Sequence, residues 1–210
     1  MKRSKRTGAS FPHREGFSSG SSADRLSEKI IGVRSTAANT ERKKSRPGLF
    51  PSARKTYRLA DLAEIRRRLK HEKKKVVFTN GCFDLLHAGH VRLFREAKKL
   101  GDVLIVALNS DASVRRLKGP TRPIFPLRER FEILSAVKDI DFLTSFPEET
   151  PQKTIARLLP DVLIKGGDWA ADKIVGREEV EAAGGRVARI RYLKGHSTSS
   201  IIRKIRRYFG

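Results

Sequence analysis

The 210-residue chain is short of cysteine, of acidic residues and of long apolar runs, and each shortage closes off a class of protein. Its single cysteine, Cys82, rules out an internal disulfide and a zinc site built on thiolates, and it fits a reducing compartment. No apolar run approaches the roughly 20 residues needed to span a bilayer. Nothing near Met1 supplies the apolar segment of a secretory signal, so a cytoplasmic location is expected. Asp and Glu number 23 against 46 Lys and Arg, a formal net charge of +23. Such a surplus attracts nucleic acid and small phosphate compounds alike, so charge by itself does not choose between them.

What is present is unevenly distributed. Residues 1–56 hold 14 Lys/Arg against 4 Asp/Glu, a surplus of 10, which leaves 13 of the net charge to the remainder. Their Ser, Gly and Arg-rich stretches, such as Ser18-Ser19-Gly20-Ser21-Ser22, lack large apolar residues and any sustained period, so a disordered basic tail is expected. Its composition also suits an organelle transit peptide or a polyanion-binding arm. Catalysis is expected not to need it.

Residues 57–210 alternate between two periods, with no internal repeat. Leu59, Leu62, Ile65 and Leu69 recur at helical spacing, with Arg66-Arg67-Arg68 expected largely toward solvent. Val76 to Thr79, Val103 to Asn109, Asp141 to Thr144, Asp161 to Lys165 and Arg186 to Tyr192 read as five strands. The second has no polar alternation, as expected of a parallel strand covered on both faces. Helices are expected over 91–100, after a cap at Asn109-Ser110-Asp111, from Pro126, from Pro151 to Leu159, over 177–183 and from Ser197; Arg115 to Pro126 reads as loop. This order predicts an α/β, Rossmann-like, doubly wound parallel sheet of about five strands in a single domain.

Ligands of such sheets bind beyond the carboxyl ends of the strands. The first of these ends reads Thr79-Asn80-Gly81-Cys82-Phe83-Asp84-Leu85-Leu86-His87-Ala88-Gly89-His90. It is a strand-to-helix turn carrying two imidazoles three residues apart, on one face of a helical turn. Gly89 lets a ligand approach the backbone, and the helix N-terminus offers unpaired N–H groups and a positive dipole end. Those features make a phosphate site.

The H-A-G-H signature after T-N-G-C-F-D resembles that of the cytidylyltransferase-like nucleotidyltransferases. L-N-S-D-A-S-V-R-R-L-K-G-P-T-R-P at 108–123, T-P-Q-K-T-I at 150–155, L-I-K-G-G-D at 163–168 and H-S-T-S-S-I-I at 196–202 extend the likeness. Together they resemble the bacterial adenylyltransferases that convert D-glycero-β-D-manno-heptose 1-phosphate and ATP into ADP-heptose and pyrophosphate, a precursor step for the lipopolysaccharide core. The likeness covers roughly residues 57–210.

The resemblance implies roles for particular residues. His87, His90 and Lys118 would be catalytic, stabilising charge on the transferred phosphate. Gly81, Cys82, Phe83, Gly89, Asn109, Asp111, Gly166, Asp168, Ser197, Thr198 and Ser199 would bind the nucleotide, and Arg122 and Arg130 would grip the substrate phosphate. Trp169 is a candidate to pack near the base. Ser197 to Ser199 also suit plain N-capping. Related cytidylyltransferases carry an Arg-Thr pair where this chain has Tyr192-Leu193, which leaves Lys194 or Arg191 to take over that arginine's part. No protein-held metal is expected; Mg²⁺ would arrive with ATP as cosubstrate. The partners implied are small molecules, with neither membrane nor nucleic acid. The oligomeric state stays open, a homodimer being one option because dimers are common in families of this kind, and a separate sugar kinase upstream is expected. Two other readings stand beside this one: a cytidylyltransferase acting on glycerol 3-phosphate or a similar alcohol phosphate, and a basic nucleic-acid-binding protein on an inactive transferase fold.

Overall fold

A computed structural model describes residues 55–167, 174–191 and 197–209. Most of the expected tail lies outside the described residues, as do Asp168, Trp169 and Tyr192 to Gly195. Lys55 and Tyr57 bond to Leu143: the Leu143 N–H donates to Lys55 O at 2.7 Å and the Tyr57 N–H to Leu143 O at 2.9 Å.

The elements follow in the order α1 (Leu59–His71), β1 (Val76–Gly81), α2 (Ala88–Lys98), β2 (Val103–Asn109), α3 (Asp111–Lys118), α4 (Leu127–Ser135), β3 (Phe142–Phe146), α5 (Gln152–Leu158), β4 (Val162–Gly166), α6 (Arg177–Ala182), β5 (Arg186–Ile190) and α7 (Thr198–Phe209). The five strands form one sheet in the order β3-β2-β1-β4-β5, and every neighbouring pair is parallel. This is the doubly wound Rossmann-like sheet that the alternation of elements predicts. All seven residues of β2 are buried, which is why its run shows no polar alternation.

Two apolar layers cover the sheet. On one face, Val76, Phe78, Ile105 and Leu163 meet Leu62, Ile65 and Leu69 of α1, Ile155 and Leu158 of α5, and Val180 of α6. On the other, Val77, Leu104, Val106 and Ile164 meet Leu93, Phe94 and Ala97 of α2 and Leu134 of α4. Each fully buried side chain of this size contributes about 1.5–3 kcal/mol. The layers thereby fix which loops crowd the carboxyl rim.

The structure corrects three local expectations. Ser110 caps α3 as expected, its Oγ accepting from the Ser113 N–H at 3.2 Å. The helix then continues to Lys118, so the irregular segment begins at Gly119 and not at Arg115. Arg115, Arg116, Leu117 and Lys118 are good helix formers, and Gly119, at φ +96°, is the residue that ends the run. Arg66 does not face solvent. It is 6% exposed, and its guanidinium donates to Leu158 O, Leu159 O and Asp161 Oδ1, capping the C-terminus of α5. Helix α2 starts at Ala88, which makes His87 its N-cap and puts His90 in its first turn.

Candidate active site

The turn between β1 and α2 is shaped by one aromatic side chain. Phe83 takes a left-handed backbone, φ +45°, uncommon for a bulky residue. Its ring folds back over Gly81, where any Cβ would come within 3.0 Å of the Phe83 ring. That ring also stands edge-on to His90, with centroids 5.1 Å apart, and packs on Phe94 at 5.2 Å. The imidazoles of His87 and His90 are stacked, with centroids 3.7 Å apart and planes 20° apart. The i, i+3 spacing thus brings both rings together at the first turn of α2, which has no side-chain cap.

This packing sets the charge of the pair. Burial, reinforced by His87 beside it, pushes the His90 pKa down to about 3. At neutral pH His90 is therefore an uncharged imidazole, able to donate one hydrogen bond from a desolvated setting. Its Nδ1 has no hydrogen-bond partner among the described residues. A phosphate anion arriving at the pair would favour the protonated form and draw a proton onto it.

The cations expected around the site divide into two groups. Lys118 is exposed at the end of α3, and its charge, with those of Arg130 and Arg122, opposes the rise that burial imposes on the pKa of the Cys82 thiol. Arg122 and Arg130 are engaged within the protein. Arg122 Nε meets Asp84 Oδ2 at 2.5 Å, with 11% and 0% of the two side chains exposed. Asp84 Oδ1 also accepts the backbone N–H groups of Ile124 at 2.8 Å and Phe125 at 3.0 Å. Arg130 is 1% exposed and donates to Cys82 O at 2.6 Å, Asn109 O at 2.9 Å, Asp111 Oδ1 at 2.8 Å and Phe125 O at 3.1 Å. Arg130 thereby ties together several backbone segments, since a guanidinium reaches several carbonyls at once, and Arg122 is anchored to Asp84 through its Nε.

The residues proposed to bind nucleotide are distributed likewise. Asn109 is buried, and its amide donates to Ser113 Oγ at 2.9 Å, so it braces the start of α3. Asp111 accepts from Arg130 and from the Leu127 N–H. Cys82 is half-buried, its Sγ 3.9 Å from Asn109 Oδ1. Gly89 and Gly166 are buried at the rim. Ser197 caps α7 reciprocally with Ser200: the Ser200 N–H donates to Ser197 Oγ and the Ser197 N–H to Ser200 Oγ, both at 3.0 Å. The Ser197 hydroxyl is therefore a cap, while Thr198 and Ser199 follow it at the helix start.

Two residues of this rim escaped sequence reasoning. Asp84 sits inside the T-N-G-C-F-D run, and its burial with an arginine from the loop after α3 has no local signal. Lys165, last residue but one in β4, is half-buried, and burial lowers its pKa; its Nζ lies 3.5 Å from Asn80 Oδ1. A lysine ending an otherwise apolar strand was the available signal. Among the described residues, no group of three His, Cys, Asp or Glu gathers to hold a metal, and no helix is long and apolar enough to cross a membrane.

Comparison with known proteins places this geometry among relatives. Residues 78–204 match the cytidylyltransferase-like family. The bifunctional protein HldE of Citrifermentans bemidjiense is 53% identical over 158 residues, covering 75% of this chain and 32% of that protein. The protein of the same name from Pectobacterium atrosepticum is 54% identical over 133 residues, covering 63% of this chain and 28% of that one. The chain thus spans about a third of the length of these curated relatives. Among solved structures, the pantoate-beta-alanine ligase of Francisella tularensis, in complex with an ATP compound and beta-alanine, is similar in fold, with a TM-score of 0.51 at 18% identity over 74% of this chain and 80% of that one.

Proposed function

The chain belongs to the cytidylyltransferase-like family, and from that premise we propose that it is an adenylyltransferase that moves AMP from ATP onto D-glycero-β-D-manno-heptose 1-phosphate. A phosphate oxygen of the sugar phosphate attacks the α-phosphorus of ATP in line. The new P–O bond forms as the bond to the β-phosphate bridge breaks, giving ADP-heptose and pyrophosphate. No covalent intermediate on the protein is needed, so the work is positioning and charge stabilisation.

The observation that carries this reading is the stacked His87–His90 pair on the uncapped first turn of α2. It supports donors converging where negative charge grows on the transferred phosphate. His90, uncharged at rest, donates a hydrogen bond and accepts a proton as the anion arrives; His87 stands against it. Lys118 approaches from the end of α3, and Thr198 and Ser199 would meet the β- and γ-phosphates. ATP enters as its Mg²⁺ complex, the ion travelling with the phosphates and keeping water as most of its ligands. The choice of heptose rests on the resemblance in the loops after β2 and β4 and before α7. The same reading places the protein in the cytoplasm beside a separate kinase that supplies the sugar 1-phosphate, and as a homodimer.

A panel of ATP or CTP with heptose 1-phosphate, glycerol 3-phosphate and other sugar phosphates, followed by pyrophosphate release, tests the reading. Release with ATP and heptose 1-phosphate is expected; exclusive use of CTP contradicts it.

A further inference from the structure

Among the described residues, helix α7 contributes no side chain to either apolar layer of the sheet. None of its residues is buried, although Ile201, Ile202, Ile205, Tyr208 and Phe209 are large and apolar. At 3.6 residues per turn these five side chains fall on one arc about 120° wide. Ile201 and Ile202 are half-buried, and exposure then rises along the arc to 49% at Ile205, 65% at Tyr208 and 87% at Phe209. A contiguous apolar stripe left in water on a folded protein marks a contact surface. The opposite arc carries Arg203, Lys204, Arg206 and Arg207, all exposed, and the helix holds no Asp or Glu.

Charge decides what this surface meets. A second copy of the chain brings a net charge of +23 and the same cationic arc, and residues 1–56 bring a surplus of 10 positive charges. Both face α7 with like charge, which opposes contact. A nucleic acid would pair with the cations and leave the apolar arc in water. An anionic bilayer satisfies both arcs at once: lipid phosphates lie level with the cations, and the acyl boundary beneath takes the apolar side chains. Tyr208, with an apolar ring and a polar tip, suits that boundary. A helix held in this way lies in the plane of the membrane and does not cross it, in keeping with the lack of any spanning helix among the described residues.

We infer that α7 docks the protein on the surface of an anionic phospholipid bilayer, with Ile205 and Phe209 entering the boundary between headgroups and acyl chains. The contact adds a membrane surface to the expected partners and is independent of the adenylyl-transfer reading. Co-sedimentation of the full chain with vesicles of phosphatidylcholine alone, or of phosphatidylcholine mixed with phosphatidylglycerol, tests it. Wild type is compared with Ile205→Ser/Phe209→Ser, which keeps every charge, and with Arg206→Gln/Arg207→Gln, which keeps every apolar side chain. All four positions are exposed and lie beyond the Ser197 to Ser199 end of the helix, so thermal melting should not change. Wild type should sediment with the mixed vesicles and not with phosphatidylcholine alone. Both variants should bind the mixed vesicles about tenfold or more weakly, one through lost apolar insertion and the other through lost attraction to anionic lipid. Undiminished binding by either variant overturns the inference: the first would leave charge alone, that of residues 1–56 included, and the second apolar insertion alone. Equal binding of wild type to both kinds of vesicle overturns it too. Wild type that sediments with neither also overturns it, and a dimer lost in Ile205→Ser/Phe209→Ser on analytical ultracentrifugation would then make a second copy the occupant.

Discussion

His90 is the residue whose charge state the fold controls most tightly. Its folded pKa of about 3 lies below the ordinary value of 6.5, so the unfolded chain binds the extra proton first as pH falls. Its contribution is therefore fully present above pH 6.5 and is lost progressively as pH drops toward 3, by an amount on the order of a few kcal/mol. Replacing His90 by Phe removes the titration while keeping an aromatic ring against Phe83 and Phe94. Urea unfolding of the two proteins between pH 7 and pH 4 should show wild type losing more stability than His90→Phe; parallel curves would contradict the assignment. Lys118 makes the opposite case. It is exposed, so Lys118→Ala should shift stability by no more than about 0.5 kcal/mol. Turnover should nevertheless fall by about 10- to 1,000-fold, the scale of a lost transition-state donor. Steady-state kinetics beside thermal unfolding separates the two effects.

The elements around the site are tied together by two ion pairs, Asp84 with Arg122 and Asp111 with Arg130. Asp84 ties the segment Arg122 to Phe125 down onto the histidine turn, and Arg130 ties that turn to the end of β2 and the start of α3. Removing one partner of a buried pair leaves an uncompensated charge, at a cost of about 3–5 kcal/mol. Arg130→Met should lower stability by that amount, with turnover falling as the fold is lost. A stability change under about 1 kcal/mol in denaturant unfolding would contradict the clamp. These contacts also mark how far the sequence could be read. The order of strands and helices was legible, because β2 shows seven apolar residues in a row and each helix repeats its apolar face. The histidine pair was legible from its spacing of three. The duties of the arginines were not, since Arg122 finds Asp84 38 residues away, Arg130 finds Cys82 48 away and Arg66 finds Leu158 92 away. A cation's sequence neighbours say nothing about partners that only the folded sheet brings near. For the same reason the helix α3 ran past its expected end: Arg115 to Lys118 look like a basic loop until Val114 is seen buried beneath them.

At the scale of the whole molecule, the described residues begin at Lys55, and the first 56 residues carry a surplus of 10 positive charges. A chain beginning at Lys55 should fold with unchanged cooperativity and retain its turnover. Circular dichroism melting and pyrophosphate release check this, and lost turnover in a folded protein would give the tail a part in catalysis. The described residues place the stacked histidine turn and the basic end of α3 beyond the carboxyl ends of the parallel strands, the arrangement on which the proposed adenylyl transfer rests. The most direct test follows the atoms. Purified protein is incubated with heptose 1-phosphate and ATP labelled at the α-phosphate, or separately at the γ-phosphate. Label from the α position should appear in ADP-heptose and label from the γ position in pyrophosphate. No transfer of the α-label to the sugar, or transfer of the γ-label to it, would contradict the account.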